Sequence, residues 1–152
     1  MIYISHRGNL NGPSSKTENT KEQILKCIEL KYDVEIDLWF YNGFYFLGHD
    51  EPKEKIHKSF LLQHKDYLWC HAKSSDTLFN LKADNLHCFW HENDRYTITS
   101  RGFIWAYPGC PVNHRSICVM PEWNNHKIDN IREAYAICSD NVEYCKQQYK
   151  IR

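Results

Sequence analysis

Two imidazoles and two carboxylates, each closing a strand-like run, constrain this chain more than any other feature. Ile2-Tyr3-Ile4-Ser5 leads into His6-Arg7-Gly8, Asp33-Val34 into Glu35-Ile36-Asp37, and Phe44-Tyr45-Phe46-Leu47 into Gly48-His49-Asp50. Side chains alternate between the two faces of a strand, so Glu35 and Asp37 point the same way and can hold one hard cation between them. His6 and His49 stand beside that cation as two proton carriers suited to neutral pH.

Composition limits what can surround such a site. The chain has 152 residues, 42% hydrophobic and 25% charged, the balance of one soluble domain spanning residues 1–152. Lys plus Arg and Asp plus Glu both number 19. That cancellation disfavours nucleic acid as a partner and leaves phosphate binding to local groups. No run approaches the roughly 20 apolar residues of a membrane span, and the N-terminus lacks a secretory layout, so a cytoplasmic protein is expected. Seven cysteines without a repeated short spacing fit reduced, buried thiols better than a disulfide framework. A zinc reading of Cys70-His71 with Cys88 and His91 is disfavoured, because strand neighbours face opposite ways.

The remaining pattern is a series of short elements. A loop of turn formers from Gly8 to Ser15 precedes a helix that Asn19 or Thr20 can cap, with Ile24, Leu25 and Ile28 as its apolar stripe and an end near Lys31. Asp33 to Phe40 reads as a strand, turned by Asn42-Gly43 into Phe44 to Leu47. After a polar stretch from Glu51 to Lys58 and a short helix around Phe60 to His64, Tyr67 to Lys73 reads as another strand, presenting His71 and Lys73 on one face. Ser74-Ser75-Asp76 opens a further helix, and apolar runs follow at 86–91, 96–99, 103–106, 117–120 and 135–138. The order predicts an α/β fold: a reduced TIM-type parallel barrel with several outer helices shortened or missing, because a full barrel needs about 250 residues. Uncovered strand flanks would then favour a homodimer.

These residues resemble the glycerophosphodiester phosphodiesterase family of the phospholipase C-like barrels. The likeness runs in order: His6-Arg7-Gly8, Glu18-Asn19-Thr20, Glu35 with Asp37, the Asn42-Gly43 hairpin, and His49-Asp50. It covers the first 50 residues well and thins afterwards. A later family strand ends in Glu-x-Lys, where this chain reads His71-Ala72-Lys73, keeping the lysine and losing the carboxylate. Ser139-Asp140 and Trp105 match the closing strands loosely. The resemblance implies a divalent cofactor, Mg2+ or Ca2+, on Glu35 and Asp37, and Glu18 either helps with that ion or orients Arg7. Either His71 joins them as an imidazole ligand or water takes its place. It further implies phosphate binding by Arg7 and Lys73, with His6 and His49 as general acid and base on a small-molecule or lipid-derived phosphodiester.

Such a site would pass through internal attack to a cyclic phosphate, hydrolysed or released as in a lyase. An inactive module that binds a phosphodiester is the rival reading. The histidines at 57, 64, 87, 114 and 126 read as surface or hydrogen-bonded residues, and His91 either faces the mouth of the site or belongs to a solvated loop. Aromatics make up 14% of the chain and belong mostly to the core. Trp39 and Trp105 are the expected pocket residues, able to stack on a cationic head group.

Overall fold

The computed structural model describes residues 1–149. Its elements run β1 (Ile2–His6), α1 (Lys21–Glu29), β2 (Asp33–Tyr41), β3 (Phe44–Leu47), β4 (Glu54–Ile56), α2 (Lys58–Gln63), β5 (Leu68–Ala72) and α3 (Ser75–Ala83). Then follow β6 (Cys88–Phe89), β7 (Tyr96–Ile98), β8 (Ile104–Ala106), β9 (Ser116–Val119), β10 (Ala136–Ser139) and α4 (Val142–Tyr149), with 3-10 turns at Pro121–Asn124 and Ile131–Glu133.

One curled sheet forms a partial barrel. Strands β6, β5, β2, β1, β10, β9 and β8 lie side by side in parallel, and β7 returns antiparallel to β8. The hairpin β7–β8 leans on β6, where the Ser100 amide donates to the Cys88 carbonyl at 2.7 Å. Past its parallel portion β2 pairs with β3, and β3 with β4, both antiparallel. The β2–β3 turn is type I′: Asn42 and Gly43 take φ of 49° and 79°, which suits the twist of the flanking strands.

Alternation along the strands sorts the core into two faces. Val34, Ile36, Leu38, Leu68, Cys70 and Ala72 point outward and pack under α1 and α3 around Ile24, Cys27 and Leu81. Ile4, Trp69, Phe89, Trp105, Ile117 and Cys138 point inward. Apart from the longer β2, the parallel strands have two to five residues, so wide side chains must fill the interior. Trp69, Phe89 and Trp105 do so, each burying on the order of 150–250 Å². Phe89 stacks on Trp105 at 4.3 Å between centroids, and Trp69 packs tilted against His87 at 4.2 Å.

Caps seat the helices. Thr20 Oγ1 accepts from the Gln23 amide and Ser74 Oγ from the Thr77 amide. Thr77 Oγ1 in turn accepts from the Phe40 amide at 2.8 Å, which ties α3 to β2. Four helices are present among the described residues, and from β6 to β10 the connections are loops or 3-10 turns. Two elements differ from the sequence expectation. Strand β4 lies within the polar stretch, since of its residues only Ile56 is buried. Helix α4 went unread because its buried stripe, Val142, Cys145 and Tyr149, is interrupted by Lys and Gln.

His87 is buried in this interior, with Nε2 2.9 Å from Thr99 Oγ1. Burial, with a smaller push from Arg101, lowers its pKa to about 4. The unfolded imidazole takes a proton near pH 6.5 and the folded one only near 4, so stability is present above pH 6.5 and lost as pH falls toward 4. Replacing His87 with Gln should therefore flatten the decline in Tm between pH 7 and about 4.5, compared by thermal melts with the native chain.

Candidate functional site

Parallel strands end together, and ligand sites in such sheets lie beyond their carboxyl ends. Here those ends open on one cavity of about 500 Å³, lined by His6, Arg7, Glu18, Glu35, His49, His71, Lys73, Trp105 and Asp140, among others. Asp37 lies at its wall, 1% exposed, in contact with three of those residues. The candidate residues from the N-terminal and β5 segments are thus brought together.

The two carboxylates sit side by side on the inner face of β2, as alternation requires. Asp37 Oδ2 is 3.0 Å from Arg7 Nε, and Asp37 Oδ1 is 3.0 Å from His71 Nδ1 and 3.5 Å from Lys73 Nζ. Asn19 grips Asp37 twice: its Nδ2 donates to Oδ2 at 2.9 Å, and its Oδ1 accepts from the Asp37 amide at 3.0 Å. Burial alone would raise the Asp37 carboxyl, but the His71, Arg7 and Lys73 contacts together outweigh it and hold the group below its usual range. Glu35, 2% exposed, moves the other way, raised by burial and then by the neighbouring Asp37 charge. It accepts from the Arg7 amide at 3.2 Å and lies 3.8 Å from both His6 Nε2 and His71 Nδ1.

Glu35, Asp37 and His71 offer three ligand atoms within 4.8 Å of one another. Asp37 Oδ1 is buried and accepts no hydrogen bond, since neither His71 nor Lys73 approaches it with the right geometry. An acceptor left open among carboxylate and imidazole donors fits a divalent cation. Glu18 stands apart from this trio, 3.6 Å from Arg7 Nη1, and acts on the guanidinium.

His6 is held by a residue that sequence reasoning had assigned no role. Its Nδ1 lies 2.8 Å from Asp140 Oδ1, and Asn9 Nδ2 donates to the same oxygen at 2.8 Å. Burial would raise Asp140, but His6 and Asn9 outweigh it, so the carboxyl is lowered and stays ionised. An ionised acceptor places the imidazole proton on Nδ1 and leaves Nε2 facing Glu35 and the cavity. Burial also opposes charging His6, yet Asp140 and Glu35 prevail and raise its pKa.

His49 reaches the cavity on a tight turn, with Nδ1 2.6 Å from Asp50 Oδ1. The Gly48 amide donates to the Asp37 carbonyl at 3.2 Å. Trp39 Nε1 donates to the Gly48 carbonyl at 2.8 Å, and Trp39 is not among the residues lining the cavity. The expectation that Trp39 lines the pocket is corrected: its indole lies half-buried against the His49 turn and anchors it. Trp90, Tyr107 and Trp123 line the cavity instead, beside Trp105.

No family model, curated protein or solved structure matches the chain.

Of its two expected places, His91 takes the one at the cavity. Its ring lies parallel to that of His71, with centroids 5.0 Å apart, and His71 Nε2 is 3.3 Å from the His91 carbonyl. Burial, then the His71 and Lys73 charges, lower its pKa to about 4. Four site segments hold left-handed backbone, at Arg7, Asn19, Gly48 and Met120. Such strain gathers where a side chain must be aimed rather than packed.

A Cβ at Gly48, whose φ is 148°, would lie 2.1 Å from the backbone oxygen of Glu51. Replacing Gly48 with Ala should cost at least about 2 kcal/mol in a denaturant melt and displace the His49 ring resonances in an NMR spectrum.

Proposed function

We propose that the chain is a metal-dependent phosphodiesterase on a reduced TIM-type barrel, acting on glycerophosphodiesters or related lipid head-group diesters. The observation that carries this reading is the Asp140-held His6, whose Nε2 faces the Glu35, Asp37 and His71 cluster across a cavity shared with Arg7 and Lys73. A diester resists hydrolysis because its charge repels the nucleophile and its leaving alkoxide is poor. The site therefore needs positive charge, a base and an acid.

Each is supplied by a named group. Arg7 and Lys73 offset charge on the phosphate oxygens. His6 Nε2 takes the proton of the attacking hydroxyl while Asp140 stabilises the resulting imidazolium through Nδ1. His49, with Nδ1 held by Asp50, donates to the leaving alcohol, and the roles exchange if a cyclic phosphate is then hydrolysed. Glu35, Asp37 and His71 would hold a divalent cation, which when bound supplies Lewis-acid polarisation of a phosphate oxygen. The resemblance favours Mg2+ or Ca2+, and one imidazole among the ligands extends the choice to Mn2+.

One feature favours the rival, a module that binds a diester without cleaving it. Arg7 and Lys73 already contact Asp37, so a phosphate must compete with that carboxylate for both cations.

Phosphorus NMR of the protein with glycerophosphocholine and lysophosphatidylcholine, in Mg2+, Ca2+ or Mn2+ and against a chelator control, separates the readings. The expected result is metal-dependent appearance of a monoester or cyclic phosphate, reduced by about 10² to 10⁴ in His6→Ala and lost in Asp37→Asn. Diester binding without turnover under any of the three metals would establish the module. Folded protein that neither binds nor turns over would sink both.

A further inference from the structure

We propose that Glu122 is a positioning residue for the His6–Asp140 pair, acting through the backbone of Asp140. Its kinetic consequence rests on the phosphodiesterase reading; its structural consequence does not.

The need for such a residue follows from the sheet. The last paired residue of β10 against β1 is Ser139, opposite Ser5, and against β9 the last is Cys138, opposite Val119. Asp140 comes one residue later, so no neighbouring strand supplies an acceptor for its amide. A buried amide without an acceptor is costly, and a side chain allowed to drift there would carry the His6 imidazole with it. The Asp140 carbonyl is satisfied by the Gly12 amide at 2.8 Å. Its amide is satisfied by Glu122 Oε1 at 3.0 Å.

The same oxygen accepts from Ser139 Oγ at 2.8 Å, and Ser139 Oγ accepts from the Asn141 amide at 2.8 Å. One carboxylate oxygen thereby orders three consecutive residues at the strand end. On the far side, Asp140 Oδ1 receives Asn9 and faces His6. Backbone and side chain of Asp140 are each held, and only Glu122 holds the backbone amide.

Local sequence delivers Glu122 to this place under strain. Met120 donates its amide to the Cys138 carbonyl at 2.8 Å and then turns left-handed, with φ 47° and ψ 55°. Pro121 opens the 3-10 turn, a position that wants no amide donor. The turn doubles the chain back over the end of β10. Its next residue, Trp123, is 64% exposed and lines the cavity.

Stability is a poor explanation for this carboxylate. Among the described residues, the buried Glu122 Oε2 has neither a hydrogen-bond donor nor a cation within ion-pair distance. A buried acid with one oxygen orphaned is a net cost, which the two charge-assisted bonds at Oε1 must offset.

The test has a spectroscopic arm and a kinetic arm. In substrate-free protein the proton on His6 Nδ1 should give a downfield NMR resonance, assigned by its loss in Asp140→Asn. In Glu122→Ala that resonance should disappear by exchange at a temperature well below the Tm, and kcat should fall by about tenfold to 10²-fold with KM little changed. Glu122→Gln should recover most of both losses, because an amide oxygen accepts the same two bonds. If Glu122→Ala does not fold, Glu122→Asp, one methylene shorter, replaces it. A lowered Tm with the resonance and kcat unaltered would make Glu122 purely structural and overturn the proposal. Absence of turnover in the native chain would defeat the phosphodiesterase reading alone, and the resonance would still decide the role of Glu122.

Discussion

The arrangement around the site depends on one buried charge, the carboxylate of Asp37. Taking a carboxylate out of water costs several kcal/mol even after relaxation. Arg7 and Lys73, at 3.0 and 3.5 Å, each return on the order of 5 kcal/mol at an effective dielectric near 20. With the His71 contact, the largest of the favourable ones, attraction wins, which is why Asp37 stays ionised where burial alone would neutralise it. Those contacts come from the end of β1 and the end of β5, and the Asn19 grip comes from the loop before α1. Three segments distant in sequence are tied to the middle of β2 by the need to compensate one group.

A second constraint is the shortness of the strands. Outside the longer β2, the parallel strands have two to five residues each and carry few inward positions, and these are divided between filling the interior and furnishing the site. Trp69, Phe89 and Trp105 meet the first demand with width instead of number. His6, Glu35, Asp37 and His71 meet the second. The division also places the buried carboxylates Glu35 and Asp37 beside an aromatic floor, where electrostatic contacts are stronger than at the surface. Left-handed backbone at Arg7, Asn19, Gly48 and Met120 is a local cost accepted in the same place.

Much of the candidate site was legible because strand alternation is a local rule. Glu35 and Asp37, two residues apart, had to share a face, and Cys70 and His71, adjacent, had to part. The hairpin at Asn42-Gly43 and the cap at Ser74 carry their own turn and helix chemistry. Asn19 stands out in the sequence as a candidate cap and as part of the Glu18-Asn19-Thr20 motif, but its grip on Asp37 has no local sign, because the two lie 18 residues apart. Asp140 and Glu122 had no local signal of role, since each acts on a group brought near by the curl of the sheet. Trp39 looked like a pocket residue because a tryptophan near strand-end carboxylates is a natural choice. The turn carrying His49 folds back so that its Gly48 carbonyl takes the indole proton instead.

By itself, then, the sequence determined most of the strands but not β4, which face their side chains take, and which titratable groups end at strand termini. Periodicity and turn chemistry act within a few residues and need no knowledge of the rest of the chain. Tertiary structure alone decided that Asp140 pairs with His6, that His91 stacks on His71, that Asp37 keeps an open acceptor, and that a glutamate on a 3-10 turn braces the end of β10. Each of these is a contact between elements far apart in sequence. Their distances come from how the sheet curls and where the strands stop, and no local pattern encodes either.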